Sequence, residues 1–455
     1  MNLWRKLSAS GHISQLAASA TLIGVTILLG GCASGGPYRF PLMPAPDIYA
    51  EQITDPFADL SPIEIADGDA GILYATNRAR DEESDEIGYT NKRDDVIRVG
   101  SARVELGEGQ YTWDEARRIS LLKNRTEDYP IQVAEIDEFG VVPESVSPED
   151  DPVARGANPA ASRRFLDKVQ AQLDRSKVKE INIYVHGYKV VFENPILVSA
   201  ELWHYLGYEG SFIAFSWPST PKRLAYFADS ATAEYSAARL RWLLIALAGR
   251  TTAERINIIG YSAGTRVVVT ALDQLNLLAK YAPESLRERY IRIGHVILVG
   301  ADADRDNFAR MLGEGVLDIA DDFNIYVSGN DKALGLSRWL LAGQNRLGQA
   351  FDPAEVTEAG KRFVATHPAL RFIDVTEAED SSTGNGHSYF RNSPWVSGDI
   401  LMTLRYGLSP QQRGLTLEQD LPVWNFPPDY LQRLRAALDR LGISSTSQVS
   451  SSDTQ

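Results

Sequence analysis

The run Ile256-Asn257-Ile258-Ile259-Gly260-Tyr261-Ser262-Ala263-Gly264-Thr265-Arg266-Val267-Val268 decides how this chain of 455 residues is read. Ile256 to Ile259 has the apolar density of a strand covered on both faces. From Thr265 to Leu278 the pattern turns helical. Between them, Ser262 stands in G-x-S-x-G. On a sharp strand-to-helix turn a serine hydroxyl projects above the sheet, and glycines at 260 and 264 leave room for close flanking contacts. The helix that starts there aims free N–H groups and a positive dipole end at any anion forming beside the serine. The string alone is weak; its strand-turn-helix setting gives it weight.

Outward from this turn, short β-rich runs alternate with helical patterns, the signature of an α/β fold around a mostly parallel sheet with helices on both faces. Eight strands are predicted, at Gly71–Ala75, Val96–Val104, Ile181–Val185, Ser211–Ser216, Ile256–Ile259, Val296–Val299, Phe323–Val327 and Leu370–Val375. Helices are expected over Ala161–Leu173, Ala231–Ala248, Thr265–Leu278 and Asp429–Leu441. One α/β domain then covers 63–415, with a C-terminal helical segment over 416–443. The stretch from about 107 to 159 is acidic and broken by Pro and Gly, which predicts an insertion or surface excursion.

A serine hydroxyl is barely nucleophilic at neutral pH, so chemistry at Ser262 needs a base and an orienting acid. On such a sheet they follow in the order Ser, Asp or Glu, His, at the carboxyl ends of later strands. Of the six histidines, only His387 lies in a loop beyond the last strand. Asp331 follows the strand Phe323–Val327 and is the first candidate for the acid. Asp302 and Asp304, after Val296–Val299, are its rivals. That acidic run lacks the glycine and closing glutamate of a calcium loop, and a serine-histidine-acid relay needs no metal or cofactor. Val185-His186-Gly187-Tyr188 ends the third strand with a His-Gly pair. The backbone N–H groups of Tyr188 and Ala263 are the expected oxyanion donors, and His186 is expected to be structural.

Taken with Tyr74-Ala75-Thr76-Asn77-Arg78, Phe215-Ser216-Trp217-Pro218-Ser219, Tyr326-Val327-Ser328-Gly329-Asn330-Asp331 and His387-Ser388-Tyr389, these motifs resemble the bacterial esterase/lipase-like α/β-hydrolase family of unknown function, and its lipoprotein branch. The resemblance runs from about Ile72 to Gly407. It implies the α/β-hydrolase fold and, by position, Ser262, Asp331 and His387 as a catalytic triad. It implies no substrate. Lys189 stands where relatives often carry a small polar residue. Carboxylic ester hydrolysis is the expected activity, on a small-molecule or lipid ester. Amidase or acyltransferase chemistry, or a non-catalytic envelope binding protein on the same scaffold, are the alternatives.

The ends of the chain carry a different message. Arg5 and Lys6 precede an apolar run, Leu22 to Leu29, that is too short to span a bilayer. Leu29-Gly30-Gly31-Cys32 resembles a bacterial lipobox, which implies a signal peptide over 1–31 and acylation of Cys32. Cys32 is the only cysteine, so no intrachain disulfide or cysteine-rich metal site can form. Ala33 favours an outer-membrane address, on the periplasmic side of the cell envelope. Pro-rich residues from Ala33 to about Pro62 predict an extended tether, and Ser444–Gln455 a disordered tail. The net charge of −14 argues against nucleic acid as a partner. It also makes a covalent anchor more necessary beside an anionic membrane.

Overall fold

A computed structural model describes residues 38–50, 55–57, 71–145, 149, 151, 153–220, 226–332, 334, 346–349, 357–418 and 421–443. The expected signal peptide over 1–31, Cys32, about half of the expected tether and the expected tail over 444–455 lie outside the described residues.

The strands are β1 (Arg39–Pro41), β2 (Ile72–Arg80), β3 (Tyr89–Leu106), β4 (Pro130–Val141), β5 (Glu180–Val185), β6 (Ser211–Ser216), β7 (Arg255–Tyr261), β8 (Ile293–Val299), β9 (Ala320–Val327), β10 (Leu370–Asp374), β11 (Thr416–Leu417) and β12 (Val423–Asn425). All join one sheet in the order β1-β4-β3-β2-β6-β5-β7-β8-β9-β10-β12-β11. From β2 to β12 neighbours run parallel, while β1, β4 and β3 at one edge and β11 at the other pair antiparallel.

Side-chain alternation builds a core on each face. In β5, Ile181, Ile183 and Val185 enter one core and Tyr184 the other. The first core is covered by the helices Pro159–Arg175, Tyr226–Arg250 and Gly264–Tyr281 through Phe165, Val169, Leu240, Leu244, Val268 and Leu272. The second is covered by Glu193–Tyr205, Pro394–Tyr406 and Tyr430–Arg440 through Ile196, Leu202, Ile400, Leu404 and Leu434. Local signals agree with these positions. Asn158 caps the helix Pro159–Arg175 by accepting from the Ala160 N–H, with proline at its first position.

The predicted strands all form, but the sheet has twelve strands among the described residues, not eight. The expected excursion over 107–159 contributes β4, paired along β3. Its acidic residues hid it: Glu135, Asp137 and Glu138 bond to Arg103, Arg164 and Arg80, so the strand need not look apolar. The segment 416–443 is not purely helical, since β12 extends the parallel sheet beyond β10. Nor are the described residues of the expected tether extended away from the domain: Met43, Ala45, Ile48, Tyr49 and Phe57 are buried.

The winding fixes where a site can form. The chain passes from β5 to its neighbour β6, then crosses back over β5 to lay down β7. Between β5 and β7 the strand order reverses, the place where open α/β sheets commonly build their sites. The loops after β5 and β7 carry His186-Gly187-Tyr188 and Ser262.

Candidate active site

Ser262 occupies the turn between β7 and the helix Gly264–Tyr281 with φ of 53°, a left-handed conformation that costs a side-chain-bearing residue roughly 1–2 kcal/mol. Neighbouring backbone holds it there. Its N–H donates to Val299 O of β8 at 2.9 Å, and its carbonyl accepts from the Thr265 N–H at 3.0 Å and hydroxyl at 2.6 Å. The close approach of the oxyanion loop explains the glycines. A Cβ on Gly264 would sit 2.3 Å from His186 O, and one on Gly187 2.9 Å from Ser262 Cβ. Ala263 is buried at the helix entrance, and among the described residues its N–H has no protein acceptor. Tyr188 lies in the facing loop, half-buried.

Loops after β9 and β10 bring Asp331 and His387 together. His387 Nδ1 lies 2.7 Å from Asp331 Oδ2, with both residues buried. The second oxygen, Oδ1, accepts from the Leu334 N–H at 3.0 Å. With a carboxylate as partner, Nδ1 carries the proton and Nε2 is left as the basic nitrogen. The His387 ring packs against Tyr261, the residue before Ser262, at 5.1 Å between centroids. The Tyr261 hydroxyl reaches Ser388 Oγ at 3.1 Å.

The rival acids are engaged elsewhere. Asp302 is buried in an ion pair with Arg266 at 2.9 Å and faces Arg346 at 3.7 Å. Asp304 caps the helix Arg305–Gly313 by accepting from Asn307 N–H. His186 is fully buried, stacked on Trp217 at 5.3 Å, and its Nδ1 donates to Gly187 O at 2.6 Å. Burial, then the Arg78 charge, holds its imidazole well below the ordinary histidine pKa, so the ring stays neutral. Lys189 is exposed, with φ of 68°.

Two residues have roles here that their motifs alone did not reveal. Arg78, fully buried at the end of β2, donates to Ser216 Oγ at 2.9 Å, to Val190 O at 3.1 Å and to Asn91 Oδ1. It thereby fastens the loop after β5 to the end of β6. A polar run, Thr76-Asn77-Arg78, at the close of an apolar strand was the available signal. Tyr389 accepts from the Gly300 N–H at 2.6 Å and donates to Tyr326 O at 3.0 Å, which fixes the start of the segment after His387.

Among the described residues no group of His, Cys, Asp and Glu is placed to hold a metal ion. An apolar hollow of about 410 Å³ lined by Phe308, Leu312, Phe363 and Leu421 has none of Ser262, Asp331 or His387 in its wall.

A parallel sheet wound in this order, covered on both faces and carrying a strained serine on its β-to-helix turn, is an α/β-hydrolase fold. Residues 161–405, more than half of the chain, match the family described as alpha/beta hydrolase of unknown function (DUF900), and the chain belongs to that family. The match begins after β2, β3 and β4. No curated protein and no solved structure matches the chain.

Proposed function

We propose that this protein is a lipid-anchored serine hydrolase of the bacterial cell envelope that cleaves carboxylic esters. The observation that carries the reading is the 2.7 Å contact between His387 Nδ1 and Asp331 Oδ2, at the end of the sheet where Ser262 is held in its strained turn. His387 Nε2 takes the Ser262 hydroxyl proton as Oγ bonds to the acyl carbon. Asp331 holds the imidazole in the required tautomer and stabilises the imidazolium. The Tyr188 and Ala263 N–H groups receive the charge that builds on the carbonyl oxygen, worth roughly 3–4 kcal/mol of barrier for a single donor. The proton passes to the leaving alkoxide as the C–O bond breaks. Water, deprotonated by His387, then attacks the acyl-serine and releases the acid.

The engagement of Asp302 by arginines and of Asp304 by a helix start favours Asp331 as the acid. The anchor rests on Leu29-Gly30-Gly31-Cys32: cleavage before Cys32 and acylation would hold the protein on the periplasmic side of the outer membrane. A panel of p-nitrophenyl esters of graded acyl length tests the activity. Turnover that disappears in Ser262→Ala supports it, and equal rates for variant and parent overturn it.

A further inference from the structure

His387 is held on three sides, and the third has no part in the relay described above. Asp331 fixes Nδ1, and Gly300 leaves room for the Cε1 edge, which a Cβ would approach to 2.9 Å. The ring of Tyr261 is the third wall. Its centroid is 5.1 Å from that of the imidazole with the planes 37° apart, a tilted stack rather than an edge contact. Phe390 packs on Tyr261 at 4.8 Å and itself meets Tyr184 at 6.2 Å, so further aromatics brace the ring.

Tyr261 also links the reacting groups through the chain. It precedes Ser262, and its hydroxyl lies 3.1 Å from Oγ of Ser388, the residue after His387. The chain neighbours of the proposed nucleophile and of the proposed base are thus hydrogen-bonded to each other. The oxyanion loop rests on the same ring, since a Cβ on Gly187 would lie 3.3 Å from Tyr261 Cδ1. Nucleophile turn, base loop and oxyanion loop therefore share one side chain. Burial, opposed by the Ser388 bond and helped by the Asp331 charge, raises the pKa of the phenol, so the hydroxyl stays protonated and is itself no base.

We infer that Tyr261 is a positioning residue for His387: its ring attracts the imidazolium that forms as Ser262 loses its proton, and its bond to Ser388 keeps the imidazole in place beside Ser262. The inference rests on the reading of Ser262 and His387 as nucleophile and base. A cation within roughly 6 Å of an aromatic centroid is attracted by the ring quadrupole, more strongly where water is excluded. The neutral imidazole feels no such attraction, so the contact favours the transition state over the ground state. Asp331 faces the imidazole from the loop after β9, and Lys332 beside it in the chain is exposed. The loop after β8 presents Gly300, and its Asp302 is turned to Arg266. Asp374, ending β10, accepts from Thr376. On the segment of the base, Tyr389 is bonded to Gly300 and Arg391 to Glu201.

The test compares Tyr261→Leu, Tyr261→Phe, Ser388→Ala and the Tyr261→Phe/Ser388→Ala double variant with the parent on a soluble p-nitrophenyl ester, per site titrated with a fluorophosphonate. Tyr261→Leu is expected to lower kcat about 30-fold or more at nearly unchanged KM. It should also move the acid limb of kcat/KM, which reports the free imidazole, to lower pH by about half a unit or more, because the imidazolium has lost its partner. Tyr261→Phe keeps the ring and should keep the limb. Loss of the hydrogen bond should cost Tyr261→Phe about three- to tenfold in kcat, Ser388→Ala the same, and the double variant no more than either. Lost packing alone would lower stability and the number of titrated sites but leave the limb in place.

An acid limb for Tyr261→Leu that coincides with that of the parent, or losses in the double variant that multiply those of the single ones, overturns the inference while leaving the triad intact. Tyr261→Phe and Ser388→Ala keep every packed ring, so they decide the matter if Tyr261→Leu does not fold. A parent that turns over no ester, or that Ser262→Ala leaves unchanged, identifies a failure of the underlying reading, and the inference falls with it.

Discussion

A Cβ on Gly300 would lie 2.9 Å from His387 Cε1, so the imidazole occupies space that only a glycine leaves open. Gly300 also adopts φ of 52°, and its N–H is held by the Tyr389 hydroxyl. The loop after β8, the proposed base and the tyrosine two residues beyond it therefore form one packed unit. Gly300→Ala is expected to displace His387, lowering kcat by at least about 100-fold, in line with the cost of small misplacements at a reacting centre. Ester kinetics with thermal unfolding as a control check this.

Tyr389→Phe removes the acceptor of the Gly300 N–H and the donor to Tyr326 O without changing the packed ring. Two buried backbone groups are then left unpaired, at roughly 1–3 kcal/mol each. The expected result is a lower unfolding midpoint in urea together with a reduced kcat at nearly unchanged KM.

The two acidic candidates separate by what each loses. Asp331→Asn should cost about 10⁴-fold in kcat, the scale for an orienting acid replaced by an amide, with little change in stability. Asp302→Asn should do the reverse. It strips a buried ion-pair partner from Arg266 and disturbs the charge facing Arg346, a change of roughly 3–5 kcal/mol in unfolding free energy. Paired measurements of kcat and urea unfolding distinguish them.

Ser262→Gly should abolish turnover and yet stabilise the fold by about 1 kcal/mol, because glycine adopts φ of 53° without strain. Equilibrium unfolding of the variant beside the parent shows whether this strain is stored at the turn.

Acid sensitivity has an identifiable contributor in His204. Burial, then the nearby Arg125 charge, pushes its pKa down to about 3, while the unfolded chain titrates near 6.5. Between these values the unfolded state binds the extra proton, so stability falls as pH drops from about 6.5 towards 3 and is unaffected above it. The slope from this group is roughly 1.4 kcal/mol per pH unit. His204→Gln should flatten the urea-unfolding stability profile in that window, whatever its cost at pH 8.

Much of this was legible in the sequence because the determinants were local. Uninterrupted apolar runs marked the buried parallel strands, and G-x-S-x-G between strand and helix marked the turn that strains Ser262. Position after a strand put Asp331 ahead of Asp302 and Asp304 and singled out His387, and the fold brings Asp331 and His387 within 2.7 Å of each other. What the sequence concealed depends on partners distant in the chain. β4 reads as a polar excursion until Arg80, Arg103 and Arg164 are seen beside its acids. The docking of residues 38–49 is equally non-local, since Pro41, Met43 and Tyr49 find their partners in Arg391, Glu201 and Tyr205. A buried arginine such as Arg78 has no periodic signature, because its partners come from β3, β6 and the loop after β5.

The most direct measurement is reaction of the folded protein with a fluorophosphonate, followed by mass spectrometry of the digested chain. One phosphonyl group per molecule, located on Ser262 and lost in Asp331→Asn and His387→Ala at equal exposure, is the expected result. A chain with an intact circular dichroism spectrum that takes up no label, or takes it up on a residue other than Ser262, would contradict the assignment of Ser262 as an activated nucleophile.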